Sequence, residues 1–376
     1  MSEQQIKRMV ADTFLALADA IETGRFAKQP AIGVAVSGTE LGMETIREGV
    51  RLAESRGFRA TIIDGEDAHK RMETMLECGD IDGAVTMHYP FPIGVSTVGR
   101  VVTPGRGREM FLAATTGTSA TDRVTAMVKN TIYGIIAAKA CGIAEPSVGF
   151  ANIDGARQTE AALLRLKEGG YPLRFAASAR QDGGAVMRGN DLLSGSADVM
   201  VMDALTGNLM MKLFSAWTTG GSYESLGFGY GPGIGEGYEK MILIISRASG
   251  APVIAGAVQY ASELLQNGMY KIAAEEFAAA EAAGLTKILE SLNAKKPGGR
   301  DAAAVEARPV TKPEKEVVTC EIHGIEVIDL EDAASALWAE GIYAETGMGC
   351  TGPVILVAEA KEAAAREILR QKEYIQ

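Results

Sequence analysis

Short apolar runs alternate with stretches of helical periodicity along most of this chain, and no other feature narrows its fold so far. The run AIGVAVSGTELG (31–42) breaks at Ser37-Gly38, and Ser37 with Glu40 has capping-box spacing for a helix reaching about Ser55. RATIID (59–64) precedes a helix from about Ala68 to Cys78, and DGAVTM (82–87) precedes the loop HYPFPIGVS (88–96). MFLAATTG (110–117) leads to a helix from about Thr121 to Cys141, and SVGFANI (147–153) to one from about Gln158 to Lys167. ADVMVM (197–202) leads to a helix beginning near Thr206. Ahead of them all, Ile6, Met9, Val10, Phe14, Leu17 and Ile21 predict a leading helix over residues 5–22. This alternation predicts an α/β fold on a mainly parallel sheet, because parallel neighbours need a crossover and a helix fills it.

Two stretches break the rhythm. Residues 218–240, TTGGSYESLGFGYGPGIGEGYEK, hold too many glycines for an element interior. They read either as a flexible surface loop or as a loop covering a ligand. Residues 293–316 are polar, rich in Lys, Pro and Ala and without apolar periodicity, which is linker composition. The expected organisation is therefore a two-domain α/β/α body with a cleft over 1–292, a linker over 293–316 and a small α+β unit over 317–376. That last unit reads as strand VVTCEI, strand GIEVIDL, helix EDAASALWAE, a loop with Cys350, a strand and a final helix. So few residues bury little core, so the unit is expected to dock on the body.

Several function classes are excluded or weakened. A net charge of −11 without a basic run argues against nucleic acid. No run approaches the length of a membrane helix, and the start MSEQQIKRMV lacks the apolar core of a signal peptide. Four scattered cysteines without a CxxC pair, and three histidines, predict no metal centre and a cytoplasmic protein with reduced thiols. The glycines of 227–237 fall mostly at every second position and do not fit G-x-G-x-x-G, and neither a Walker A motif nor G-x-S-x-G is present. Dehydrogenase, NTPase and hydrolase readings are weaker for it, and no cofactor is expected.

Two stretches carry candidate chemistry. In ADVMVMDALTGNLMMKLFSA a buried strand ends near Asp203, and Thr206-Gly207-Asn208 opens a helix that carries Lys212. Ligands of open α/β sheets bind outside strand carboxyl ends, and helix N-termini offer free N–H groups to anions. The same residues also read as an ordinary helix start capped by Asp203 or Thr206. In ETGMGCTGPVILV (345–357), Cys350 lies between Gly349 and Thr351-Gly352 at the mouth of a strand. Taken alone it is a small core residue or a thiol presented for chemistry. Cys78 and Cys141 read as packing beside helix ends. Cys320 reads as a strand core residue or a resolving thiol. His88 follows a strand end, as a loop histidine or as a group orienting phosphate. Arg100, Arg106 and Arg108 attract phosphate or a partner, or lie in a solvated loop.

SADVMVMDALTGNLMMKLFSA resembles the signature of the phosphate acyltransferases of phospholipid synthesis, and PSVGFANIDG resembles an internal strand and loop of that family. That likeness covers about residues 30–285 and implies a body of the phosphate acyltransferase or isocitrate dehydrogenase-like type. HYPFPIGVS stands where the family has a glycine-rich loop. With its C-terminal unit and ETGMGCTGPVILV, the whole chain resembles the alpha subunits of component C of glycine, sarcosine and betaine reductases.

The resemblance implies an acyltransferase that works with a component C beta subunit in a homo- or hetero-oligomer. It receives a carboxymethyl group from selenoprotein component A, carries it as an acetyl thioester on Cys350 and releases acetyl phosphate when phosphate attacks. Gly349, Thr351 and Gly352 would serve the thioester; Asp203, Thr206, Gly207, Asn208, Lys212 and His88 would serve phosphate. Beside that reading, a stand-alone phosphate acetyltransferase using acetyl-coenzyme A and a non-catalytic scaffold binding phosphate or a partner stay open.

Overall fold

Side chains on successive residues of a strand point to opposite faces, and the central strands of this protein are apolar on both. The computed structural model describes Phe14 and residues 29–179, 184–294, 312–325, 329–349, 352–372 and 374–375. Apart from Phe14 the helix expected over 5–22 lies outside the described residues, as does 295–311 of the expected linker. The large sheet contains β1 (Ala31–Ala35), β2 (Arg59–Ile63), β3 (Gly83–Thr86), β5 (Val95–Val102), β6 (Glu109–Thr118), β7 (Ser147–Ala151), β8 (Arg174–Phe175), β9 (Val186–Met187), β10 (Val199–Val201), β11 (Gly231–Ile234) and β12 (Ile242–Ile244). Its order is β2-β1-β3-β12-β11-β5-β6-β10-β7-β8, with β9 also on β7.

The sheet is mixed rather than mainly parallel. β2, β1, β3 and β12 are mutually parallel, as are β6, β10, β7, β8 and β9. Between the groups, β11 is antiparallel to β12 and to β5, and β5 is antiparallel to β6. Three successive antiparallel pairings reverse direction three times, so the two parallel groups run opposite ways and their carboxyl ends lie on opposite edges.

The glycine-rich stretch 218–240 supplies β11, which is neither surface loop nor lid but a fully buried central strand. Its glycines answer close approach. Gly231 has φ +95°, and a methyl there would collide with the Val98 carbonyl oxygen. Gly233 leaves room for the Phe91 ring against the sheet.

Alternating residues feed two cores. Val34, Val85, Phe111, Val199 and Leu243 pack with Ile46 of helix α1 (Gly42–Ser55), Ile132 of α3 (Arg123–Ala140) and Ile254 of α7 (Ala251–Gln266). Ala84, Leu112, Met200 and Ile242 pack on the other face with Met72 of α2 (Ala68–Cys78) and with Met211 and Phe214 of α6 (Ala204–Ala216). Helix α4 (Ala156–Glu168) joins the first face, and the short α5 (Gly189–Ser194) places Leu192 beside the second. Helices α8 (Met269–Ala282) and α9 (Leu285–Ala294) follow. Helix α1 starts after Leu41 with no side-chain cap, so the expected Ser37–Glu40 capping box does not form. The backbone there is held instead by the Arg247 carbonyl, which accepts from Glu40 N at 2.9 Å.

A second sheet has the order β13-β15-β14-β4. Its strands β13 (Cys320–His323), β14 (Ala344–Gly349) and β15 (Gly352–Val357) are C-terminal, but β4 is Phe91–Pro92, from the stretch expected to be loop. Helices α10 (Leu330–Ala339) and α11 (Glu362–Gln371) cover it over a separate core that includes Ile322, Leu337, Ile355 and Leu369. The strand expected over 324–330 falls partly on 326–328, outside the described residues, and Leu330 already opens α10. Among the described residues no helix is long and apolar enough to cross a membrane.

Candidate functional site

Helix α6 begins where β10 ends. Asp203 is its N-cap and accepts hydrogen bonds from Thr206 N at 3.0 Å and from Thr206 Oγ1 at 2.8 Å. Gly207 N donates to the Asp203 carbonyl at 2.9 Å. A methyl on Gly207 would run into the Ala114 carbonyl oxygen, so the helix start sits tightly on β6. Asn208 Nδ2 donates to the Thr115 carbonyl at 3.2 Å, turned toward the sheet.

From there α6 crosses to the opposite edge, which separates residues that are close in sequence. Lys212 lies at the carboxyl end of β12, 3.5 Å from Ser246 Oγ and 3.6 Å from the Glu224 carboxylate. Glu224 is 2% exposed and accepts from Tyr230 OH at 2.8 Å and Ser249 Oγ at 2.9 Å. Of the expected phosphate ligands, Asp203, Thr206 and Gly207 are therefore together. Asn208 faces β6, Lys212 is at the other edge, and His88 belongs to the loop before β4.

A cavity of about 380 Å³ opens at the α6 start. It is lined by the carboxyl ends of β7 and β9, by α5 and by Thr206 and Met210 of α6. Its polar side chains are Asn152, Arg188 and Thr206; Ile153, Met187, Leu192 and Met210 make it partly apolar. Such a position beyond parallel strand ends is where ligands of open α/β sheets bind.

The C-terminal unit meets the body on the same face of the sheet as α6. Met348 pairs with Phe91 and Gly347 with Pro92. Phe91 is 2% exposed, with its ring edge-on to Tyr89 at 5.0 Å and Tyr238 at 5.9 Å. His88 Nε2 lies 3.1 Å from Glu321 Oε1, and Ile93 packs on the C-terminal core. Strands β14 and β15 run antiparallel, and their final pair is Gly349 with Gly352. Cys350 and Thr351, which fall between these glycines in sequence, lie outside the described residues.

The other thiols have local explanations. Burial pushes the Cys141 thiol up to about 12, against the nearby Arg100 guanidinium. Cys320 is also raised, by burial first and the Glu362 carboxylate next. Cys78 is exposed at the end of α2. Arg100 is not in a solvated loop. It is buried in β5, bonds Glu109 at 2.9 Å and Glu263 at 2.5 Å, and stacks 4.1 Å from the Phe228 ring centroid. Arg108 pairs with Asp198.

Sequence reasoning missed Asn152, Arg188 and Glu224. Arg188 follows a two-residue strand, too short for periodicity to show, and the only local signal is the polar turn Arg188-Gly189-Asn190. Glu224 stood in the glycine-rich stretch, whose glycines hid the strand that buries its partner Tyr230.

Among known proteins, a family model described as "Fatty acid synthesis protein" matches residues 32–356. The chain is 55% identical over 382 residues to the glycine/sarcosine/betaine reductase complex component C subunit alpha of Peptoclostridium acidaminophilum, covering 97% of this chain and 98% of that one. It is 31% identical over 102 residues to a phosphate acyltransferase of Phenylobacterium zucineum (strain HLK1), covering 23% of this chain and 27% of that one.

Proposed function

Because the chain belongs to the fatty acid synthesis protein family and is similar along nearly its whole length to a component C alpha subunit, we propose that it moves an acetyl group from a cysteine thioester to phosphate. The observation that carries this reading is the 55% identity to a component C alpha subunit across 97% of the chain. Cys350 is the carrier. Gly349 and Gly352, directly opposed across the β14–β15 pair, let backbone approach the thioester closely, and neighbouring N–H groups and the Thr351 hydroxyl offer donors to the oxyanion. A phosphate oxygen attacks the carbonyl carbon. A C–O bond forms, the C–S bond breaks, and the electron pair leaves on the Cys350 sulfur. Phosphate is already anionic, so holding it in line does most of the work, and proximity alone contributes roughly 7–11 kcal/mol.

The phosphate enters beside the turn of Asp203, Thr206 and Gly207, where Thr206 lines the cavity. Asn208 fixes the helix to β6. Lys212, 3.6 Å from Glu224, and His88, 3.1 Å from Glu321, lie away from that turn. The unit over 317–376 is a separable carrier on a linker of 293–316, and its partners are a component C beta subunit and selenoprotein component A as carboxymethyl donor.

Mass spectrometry after incubation with acetyl phosphate tests the carrier: one acetyl group should appear on Cys350. Cys350→Ser should abolish arsenate-dependent breakdown of acetyl phosphate, and Cys78→Ser, Cys141→Ser and Cys320→Ser should keep it. Turnover by Cys350→Ser at the unmodified rate removes the carrier role. Full activity of that variant with acetyl-coenzyme A would identify a stand-alone phosphate acetyltransferase, and no adduct or turnover at all a scaffold.

A further inference from the structure

We propose that the cavity at the carboxyl ends of β7 and β9, beside the start of α6, is an anion site in which Arg188, helped by Asn152, holds inorganic phosphate and the phosphate end of an acyl phosphate. This rests on the phosphoryl-acceptor reading above and moves the binding groups away from the helix start. At that start the Thr206 N–H and hydroxyl are both committed to the Asp203 carboxylate, so neither is free to donate to an anion.

Arg188 differs from other arginines of this half of the protein. Arg108 and Arg174 both pair with Asp198, and Arg100 pairs with Glu109 and Glu263. Among the described residues no carboxylate pairs with the Arg188 guanidinium. The nearest acid in sequence, Asp191, is 2% exposed and already accepts four hydrogen bonds. These come from Ser178 Oγ at 2.8 Å, Ala179 N at 2.8 Å, Ser196 Oγ at 3.0 Å and the backbone N of Arg188 itself at 3.0 Å. Four bonds fill the acceptor sites of a carboxylate. Asp191 thus fixes the backbone of residue 188 and, among the described residues, leaves its side chain without a counter-ion at the rim of a cavity.

A guanidinium presents a planar fork of donors that matches phosphate oxygens, and the Asn152 amide at the end of β7 adds a neutral donor. The apolar wall of Met187, Leu192 and Met210 suits the acyl side of the product. The volume of about 380 Å³ is more than bare phosphate needs.

The test is titration of the full chain with inorganic phosphate, followed by calorimetry and by phosphate KM in the arsenate or phosphate reaction. Arg188 is exposed, so Arg188→Ala and Arg188→Gln should fold, which their melting checks. Both should weaken phosphate binding and raise phosphate KM by about ten- to a hundredfold, the usual weight of a charged hydrogen bond. Arg188→Lys should recover part of the loss, and Cys350→Ser should bind phosphate as the unmodified protein does. If Arg188→Ala binds phosphate normally, or the unmodified protein binds none, the site is refuted whatever Cys350 does. If Cys350→Ser keeps full turnover while Arg188→Ala loses phosphate, the carrier reading falls and the anion site stands.

Discussion

Phe91→Ala should release the C-terminal unit before it unfolds the body. Phe91 is 2% exposed, lies over Gly233 and is flanked by Tyr89 and Tyr238. It is also half of the two-residue strand through which the body joins the small sheet. Truncating a buried phenylalanine costs about 3–5 kcal/mol. Other links between the two sheets, such as the His88–Glu321 pair and the packing of Ile93, are modest. If most of that cost falls on docking, the undocked population rises by about a hundredfold or more.

The two tryptophans make this measurable, because Trp217 follows α6 in the body and Trp338 sits in α10, donating to the Ala344 carbonyl at 3.0 Å. Urea unfolding of Trp217→Phe and Trp338→Phe backgrounds separates the two signals. The Trp338 transition should move to lower urea in Phe91→Ala, with Trp217 shifting less, and limited proteolysis should cut sooner within 293–316. Equal shifts of both signals, or protection of β14 and β15 unchanged by hydrogen exchange, would refute docking through β4.

Three further outcomes follow from particular contacts. Gly231→Ala should be destabilised far more than Gly237→Ala in urea melts. Both glycines have positive φ, which costs an alanine about 1–2 kcal/mol, but only Gly231 faces the Val98 carbonyl, whereas Gly237 has open space. Arg100→Met should lower the Tm, since the buried guanidinium loses its bonds to Glu109 and Glu263 and its stack on Phe228, yet leave phosphate KM unchanged. The His69 imidazole, stacked on Tyr89, is held below its ordinary 6.5, chiefly by burial. On acidification the unfolded chain takes that proton first, so stability present above pH 6.5 declines as pH falls through 6.5 toward the folded value. A Tm–pH series should show this slope in the unmodified protein and a smaller one in His69→Phe.

What was legible in the sequence was what neighbours along the chain decide. The helix expected from Ala68 to Cys78 spans those residues, and the one expected to start near Thr206 starts at Ala204, because apolar spacing and capping act within a few residues. The α/β class and the capped turn at Asp203 could be read for the same reason. The family likeness was legible through whole motifs rather than single side chains.

Tertiary structure alone decided the rest. Nothing local marks Gly231–Ile234 as a central strand, since its glycines are needed only because Val98 and Phe91 approach from elsewhere in the chain. The reversal between the parallel groups arises from the antiparallel pairings of β12 with β11, β11 with β5 and β5 with β6, and it places Thr206 and Lys212 of one helix at opposite sheet edges. Phe91-Pro92 becomes a strand only when Gly347-Met348 arrive from more than half the chain away. Arg188 gains its position because Ser178, Ala179 and Ser196 fill the oxygens of Asp191, a saturation that exists only once those segments meet. Periodicity encodes which residues face a core, but which charges are left unpaired beside a cavity is set by contacts that close only on folding.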